Sequence, residues 1–133
     1  RTLTSTLMFG QPATCFAPVG SSASLAVVGF KDGVVRSVMR LDGGLLLTAA
    51  FKPHKGPVTA VAVTPDASRL VTAGEDGTLF FFNIAGPNAY TPVCFTPIGG
   101  AATCLDWSAD CSKVLVGLKN GTVLEVDAPG HVD

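Results

Sequence analysis

The 133-residue sequence lacks a dominant charge of either sign: nine basic against ten acidic residues leave a formal net charge of −1. No long-range field therefore marks nucleic acid or an anionic membrane as the main partner. Long apolar runs are missing too, since the longest, GLLLTAAF at 44–51, falls far short of the roughly 18 to 20 residues of a spanning helix. The first residue is Arg1, and RTLTSTLMF has neither the charged start nor the apolar middle of a secretory signal. The chain reads as an excerpt from a longer protein. Histidine is scarce, with only His54 and His131, and the four cysteines, Cys15, Cys94, Cys104 and Cys111, form no C-x-x-C pair, which excludes zinc-ligand spacing. Their even number permits disulfides in a secreted protein, but reduced thiols acting as small buried hydrophobes in a reducing compartment are the reading adopted. No useful length shows the 3.6-residue period of a helix.

What is present is an apolar fraction of 47%, normal for a globular chain, and a repeat. GFKDGVVRSV at 29–38 is matched by GLKNGTVLEV at 117–126, and the turn residues Asp32, Asp76 and Asn120 stand 44 apart. VTAVAVTPDASRL at 58–70 aligns without gaps on ATCLDWSADCSKV at 102–114, and ATCF at 13–16 echoes ATCL at 102–105 with one extra residue. Phe51, Pro53 and Gly56 match Phe95, Pro97 and Gly100. Three units, approximately 1–44, 45–88 and 89–132, fill the chain. Within a unit, runs rich in Val, Leu, Phe and Thr are separated by Gly, Pro, Asp and Ser, which predicts four strands. In the middle unit they fall near 45–51, 58–64, 69–73 and 78–84, with tight turns at PDAS and EDG.

A period of about 40 to 45 residues with four strands is the signature of a β-propeller blade. The fold class is all-β: three four-stranded blades, part of a larger propeller, because a ring typically takes about four to eight. Residues 1–9 are expected to form the outer strand of a preceding blade, and the last unit ends after its third strand. GEDGTLFFFNI at 74–84 breaks the polar–apolar alternation of a strand with one wet face. Phe80, Phe81 and Phe82 are therefore expected to bury in two blade interfaces at once, with Trp107, opposite Val63 in the repeat, also in the core.

The middle unit resembles a WD repeat. PHKGPVTAV supplies His54, TAGEDGT supplies Thr72, Asp76 and Thr78, and FFFNI places Phe82 and Asn83 where that family has Trp and Asp. The resemblance implies a buried hydrogen-bond chain from Asp76 to His54 to Thr72, with Phe82 lacking the indole donor. The other units depart from the motif: the first keeps Asp32 but has Val28 and Val38, and the third has Asn120, Val116, Val126 and Ile98. More narrowly, VTAGEDGTLFFF, YTPVCF and NGTVLEVDAPG resemble the WD-repeat portion of axonemal proteins of cilia and flagella. That likeness implies a long protein of propellers followed by coiled coil, cytoplasmic and cytoskeletal, that regulates ciliary movement. Its implied partners are another axonemal WD-repeat protein, inner-arm dynein and the tubulin of the doublet microtubule.

A catalytic reading would make His54 a general base beside Asp76, with Thr72 as nucleophile, but the same residues are the structural set of a WD blade. No catalytic, cofactor or metal site is assigned. Asp32, Asp76 and Asp110 lack calcium-loop spacing, and GSSASL at 20–25 has no lysine for a phosphate loop. Lys52 and Lys55 place a basic loop at a rim, where it could touch an acidic partner, but a solvated face is the better reading because two lysines make a weak electrostatic signal. The leading function is a non-enzymatic scaffold. A propeller hydrolase would need acidic or histidine side chains converging on the channel, where only Asp106 offers itself. A reader of peptide tails would need a ring of arginine or aromatic residues, and Arg1, Arg36, Arg40 and Arg69 show no such spacing.

Overall fold

Eleven strands and no helix make up the residues described by this computed structural model, which are 4–21, 24–87 and 89–129. They form three antiparallel meanders. The first holds β1 (Ala13–Pro18), β2 (Leu25–Phe30), β3 (Val35–Leu41) and β4 (Gly44–Phe51); the second β5 (Val58–Val63), β6 (Arg69–Gly74), β7 (Thr78–Asn83) and β8 (Thr91–Pro97). The third holds β9 (Ala102–Trp107), β10 (Lys113–Leu118) and β11 (Val123–Asp127). Each strand pairs with its sequence neighbour, the outcome expected of apolar runs joined by tight turns. β4 begins the second sequence unit yet completes the first sheet, and β8 begins the third unit yet completes the second. Sheet and sequence unit are offset by one strand.

Neighbouring sheets approach most closely along β1, β5 and β9, the innermost strands. The extra residue of a β-bulge opens each of these strands, and it is a threonine every time. Thr14, Thr59 and Thr103 donate their hydroxyls across the bulge to the carbonyls of Gly29, Ala73 and Gly117, at 3.1, 3.3 and 3.3 Å. The side chain thus satisfies an acceptor where the ladder slips.

The middle sheet is covered on both faces. Leu79 and Phe81 point into a core with Val114, Val116 and Trp107 of the third sheet, while Phe80 and Phe82 point towards Val27, Val35 and Phe51 of the first. Alternation fails at the phenylalanines because neither face meets water. Phe81 meets Trp107 edge-on at 5.8 Å, and the Phe82 ring lies 4.8 Å from Phe51. Burying each such ring contributes about 2 to 3 kcal/mol.

One expectation needs correction. No strand forms over residues 4–9, and residues 1–3 lie outside the described residues. A strand needs a neighbour to receive its ladder, and none runs beside this segment. Leu7, Met8 and Phe9 lie instead over the outward face of the first sheet, with Phe9 edge-on to Phe30 at 5.4 Å. As expected, the last unit ends after the third strand of its sheet: among the described residues that sheet holds β9, β10 and β11, and β8 belongs to the second sheet.

Candidate functional site: the His54 set and its rim

Each hairpin between the second and third strands of a sheet turns in the same way. Asp32, Asp76 and Asn120 accept the backbone N–H two residues on, from Val34, Thr78 and Thr122, at 3.1, 3.2 and 3.0 Å. A glycine follows each, with φ of 87°, 80° and 93° at Gly33, Gly77 and Gly121, a conformation that favours glycine. The first residue of each turn then ties back to the loop before the innermost strand: Lys31 N to Pro12 O, Glu75 N to Pro57 O and Lys119 N to Ala101 O, each at 2.9 Å. One rim is therefore a continuous row of turns and loops.

In the middle sheet that row encloses a polar set. His54 is 1% exposed and Thr72 fully buried. Asp76 Oδ1 lies 3.2 Å from His54 Nδ1, and Thr72 Oγ1 lies 2.9 Å from Nε2. Because an ionised carboxylate only accepts, Nδ1 carries the proton and donates to Asp76, while Nε2 accepts from the Thr72 hydroxyl. Burial pushes the His54 pKa below its ordinary 6.5, outweighing the pull of Asp76 in the opposite direction. For Asp76, burial pushes upward, but hydrogen bonds from Thr78, the nearby imidazole and the Lys55 N–H together leave its pKa lowered. The set is a neutral imidazole held between a carboxylate and a hydroxyl.

Space for it comes from Gly74. A Cβ there would stand against the imidazole, 2.5 Å from His54 Cγ and 2.7 Å from Asp76 Oδ1. Phe30 and Leu118 occupy the same repeat position in the other units. That three-way comparison of Phe, Gly and Leu is the signal in the sequence that points to Gly74. Phe82 supplies no donor to the set; it lies 4% exposed in the apolar cluster with Leu70 and Phe51, and Asn83 beside it is exposed. Phe80 closes the set from the side, edge-on to His54 at 5.3 Å.

Other polar groups tie sheet to sheet, and the sequence marks them poorly. Trp107 Nε1 donates to Ala62 O at 3.1 Å, and the Arg69 guanidinium lies 5.2 Å from the centre of the Trp107 ring. Arg69, only 7% exposed, donates from Nη1 to Pro129 O at 2.7 Å and from Nη2 to Cys111 O at 2.8 Å. At the other junction the Thr14 hydroxyl also reaches Val58 O, and Tyr90 Oη donates to the buried Ser37 Oγ at 2.8 Å. An arginine within an apolar strand, SRLVTAG, is the one sequence feature that hints at such a tie.

The remaining candidates stay apart. Asp66 and Asp110 each close a turn, held at about 2 by hydrogen bonds from Ser68 and Thr64 and from Ser112 and Ser108 respectively. Burial pushes the Cys15 thiol upward, the opposite of what a nucleophile needs. Asp106 is exposed on β9. Among the described residues, no three His, Cys, Asp or Glu side chains gather as a metal cluster, and no helix is long and apolar enough to cross a membrane. His131 lies outside the described residues.

Comparison with known proteins agrees with this geometry. The model of the WD domain, G-beta repeat, matches residues 43–83, one outer strand followed by three inner ones. The chain is 39% identical over 143 aligned residues to cilia- and flagella-associated protein 44 of Chlamydomonas reinhardtii and 36% identical over 141 to that of Mus musculus, each match covering 90% of this chain. The protein of the same name in Trypanosoma brucei brucei is 33% identical over 102 residues, or 74% of the chain. The chain spans only 8% of the length of the first two relatives and 6% of the third. Residues 43–83 thus match a WD repeat, and the all-β, offset sheets on either side are consistent with further blades of the same kind.

Proposed function

We propose that this chain is part of a non-enzymatic scaffold of the cilium or flagellum, a WD-repeat propeller whose rims hold other axonemal proteins. The observation that carries the reading is its similarity, over 90% of its length, to cilia- and flagella-associated proteins of an alga and a mouse. In the finer form of the proposal the parent protein tethers inner-arm dynein to the doublet microtubule, beside a WD-repeat partner, and so regulates motility. The His54, Thr72 and Asp76 set, with Phe82 packed nearby, serves as a structural lock in this reading; Asp32, Asp76 and Asn120 set the blade turns, and Phe80, Phe81, Phe82 and Trp107 pack the blades.

The geometry of the lock argues against the hydrolase alternative. Aspartate, imidazole and hydroxyl stand in the order of a catalytic triad, but the Thr72 hydroxyl is fully buried and the space beside the ring is closed at Gly74. A nucleophile has to reach the reacting carbon within about 3 to 3.5 Å, and no substrate reaches this one. To test the ciliary reading, the full-length parent is tagged in a ciliated cell and followed through detergent extraction and salt washing of axonemes. Retention in the washed axoneme is expected. Recovery only in the soluble fraction would leave a general cytosolic WD-repeat adaptor.

A further inference from the structure

The row of turns described above collects four of the five lysines of the chain. Lys31 and Lys119 occupy one repeat position, 88 residues apart, at the head of the first and third hairpin turns, and Lys52 and Lys55 stand on the loop that carries His54. The row is contiguous. Gly33 abuts the backbone carbonyls of His54 and Gly56, Lys55 N reaches Asp76 Oδ2 at 3.4 Å, Ile98 N donates to Gly77 O at 2.8 Å, and Lys119 N donates to Ala101 O. All four lysines are exposed, and none makes a side-chain hydrogen bond or ion pair among the described residues. By contrast Lys113, on the far side of the third sheet, is engaged with Asp127.

The carboxylates of this rim are differently placed. Asp32 is used by its own turn and lies 3.8 Å from Arg36, and Asp76 is held by His54 and Thr78. Among the described residues of this rim only Glu75 presents a free acid, at the repeat position that Lys31 and Lys119 hold in the flanking blades. On the opposite rim Asp66 and Asp110 are likewise bound into their turns, by serine and threonine.

We propose that this rim docks an acidic, extended polypeptide segment of a partner protein, running across the three blades with its carboxylates on Lys31, Lys52, Lys55 and Lys119. The assignment rests on the scaffold reading and names the surface that serves it. Nucleic acid fits less well, because the row contains no arginine for bidentate phosphate contact and has Glu75 at its centre. A membrane fits less well, because none of the exposed large apolar side chains falls within turns 31–34, 75–78 and 119–122 or loop 52–57. Surface pairs of this kind are individually weak, so the docking is salt-sensitive and depends on their number.

The test is fluorescence anisotropy of a labelled polyglutamate peptide on the full chain, beside a single-stranded RNA and phosphatidylserine vesicles. Polyglutamate is expected to bind most tightly and to release as salt rises. Replacing Lys52 and Lys55 together by alanine is expected to weaken binding roughly threefold to tenfold. Glu75→Lys completes the row and is expected to tighten binding about twofold to fivefold; its side chain makes no hydrogen bond, and the Glu75 N–H tie to Pro57 is kept by any residue but proline. Circular dichroism confirms that each variant is folded. No polyglutamate binding, binding indifferent to Glu75→Lys, or tighter binding of RNA or vesicles overturns the proposal. Axonemal retention without polyglutamate binding would remove the rim and keep the ciliary scaffold.

Discussion

The second and third sheets share a backbone plan but fill one corner of it with opposite chemistry. In the middle sheet the corner between hairpin turn and preceding loop holds His54 over Gly74, with the ring hydrogen-bonded to Asp76 and Thr72. In the third sheet the same positions are Ile98 and Leu118, with Val116 in place of Thr72, and Ile98 packs against the cluster that contains Leu118 and Val116. In the first sheet Phe9 meets Phe30, one residue off the spacing of 44, as the extra residue in the loop between β1 and β2 requires. The turn survives all three fillings because its Asx oxygen and its glycine are enough to make it. What the polar filling adds is direction: an imidazole bonded at both nitrogens has one orientation, whereas an apolar pair needs only to fill volume.

The contrast breaks most sharply at Gly74. Gly74→Leu drives a side chain into the imidazole and is expected to cost on the order of 3 kcal/mol or more, from overpacking together with lost hydrogen bonds. Adding His54→Ile to that variant imitates the third sheet and should recover a substantial part, read as a shift in the urea midpoint. A double variant no more stable than Gly74→Leu alone would show that the two corners are not interchangeable. Next in size, His54→Ala leaves Thr72 and Asp76 without their partner and is expected to cost about 1 to 3 kcal/mol.

Acid distinguishes the two corners further. Above pH 6.5 the imidazole is neutral in folded and unfolded chain alike. As pH falls below 6.5, the unfolded chain takes up a proton that buried His54 resists, so stability declines until the pH passes the lowered folded value. The His54→Ile, Gly74→Leu double variant should show no such decline across that window in thermal melts. A smaller effect separates the junctions: Trp107→Phe removes the bond to Ala62 O and is expected to cost about 1 kcal/mol. Smallest of all, Asp66→Asn should cost below about 0.5 kcal/mol, because the group is exposed and screened. Its contribution is lost as pH falls from 3.8 through about 2.

Period and strand content were legible in the sequence because they rest on local chemistry. The 44-residue spacing of Asp32, Asp76 and Asn120, and the broken alternation at Phe80–Phe82, follow from turn geometry and from which faces are dry. The strand expected at the start was not formed, because a strand exists through its neighbour and no local pattern supplies one. Gly74, Arg69 and the Tyr90–Ser37 bond escaped notice for a related reason: each acts on a residue distant along the chain, and a glycine or a lone arginine does not announce what it faces. The lysine row was half visible, as the loop bearing Lys52 and Lys55, and only folding sets Lys31 and Lys119 along the same edge.

The one-strand offset between sheet and sequence unit has a mechanical consequence. The chain leaves each complete sheet from its outermost strand and enters the next at its innermost, so tension applied along the backbone enters the second blade at β5 and leaves it at β8. Peeling β4 from β3 breaks the ladder of the first sheet while pulling on the loop that anchors His54 in the second. Load is thereby shared between these two neighbours: the first blade cannot be stretched open without loading the second.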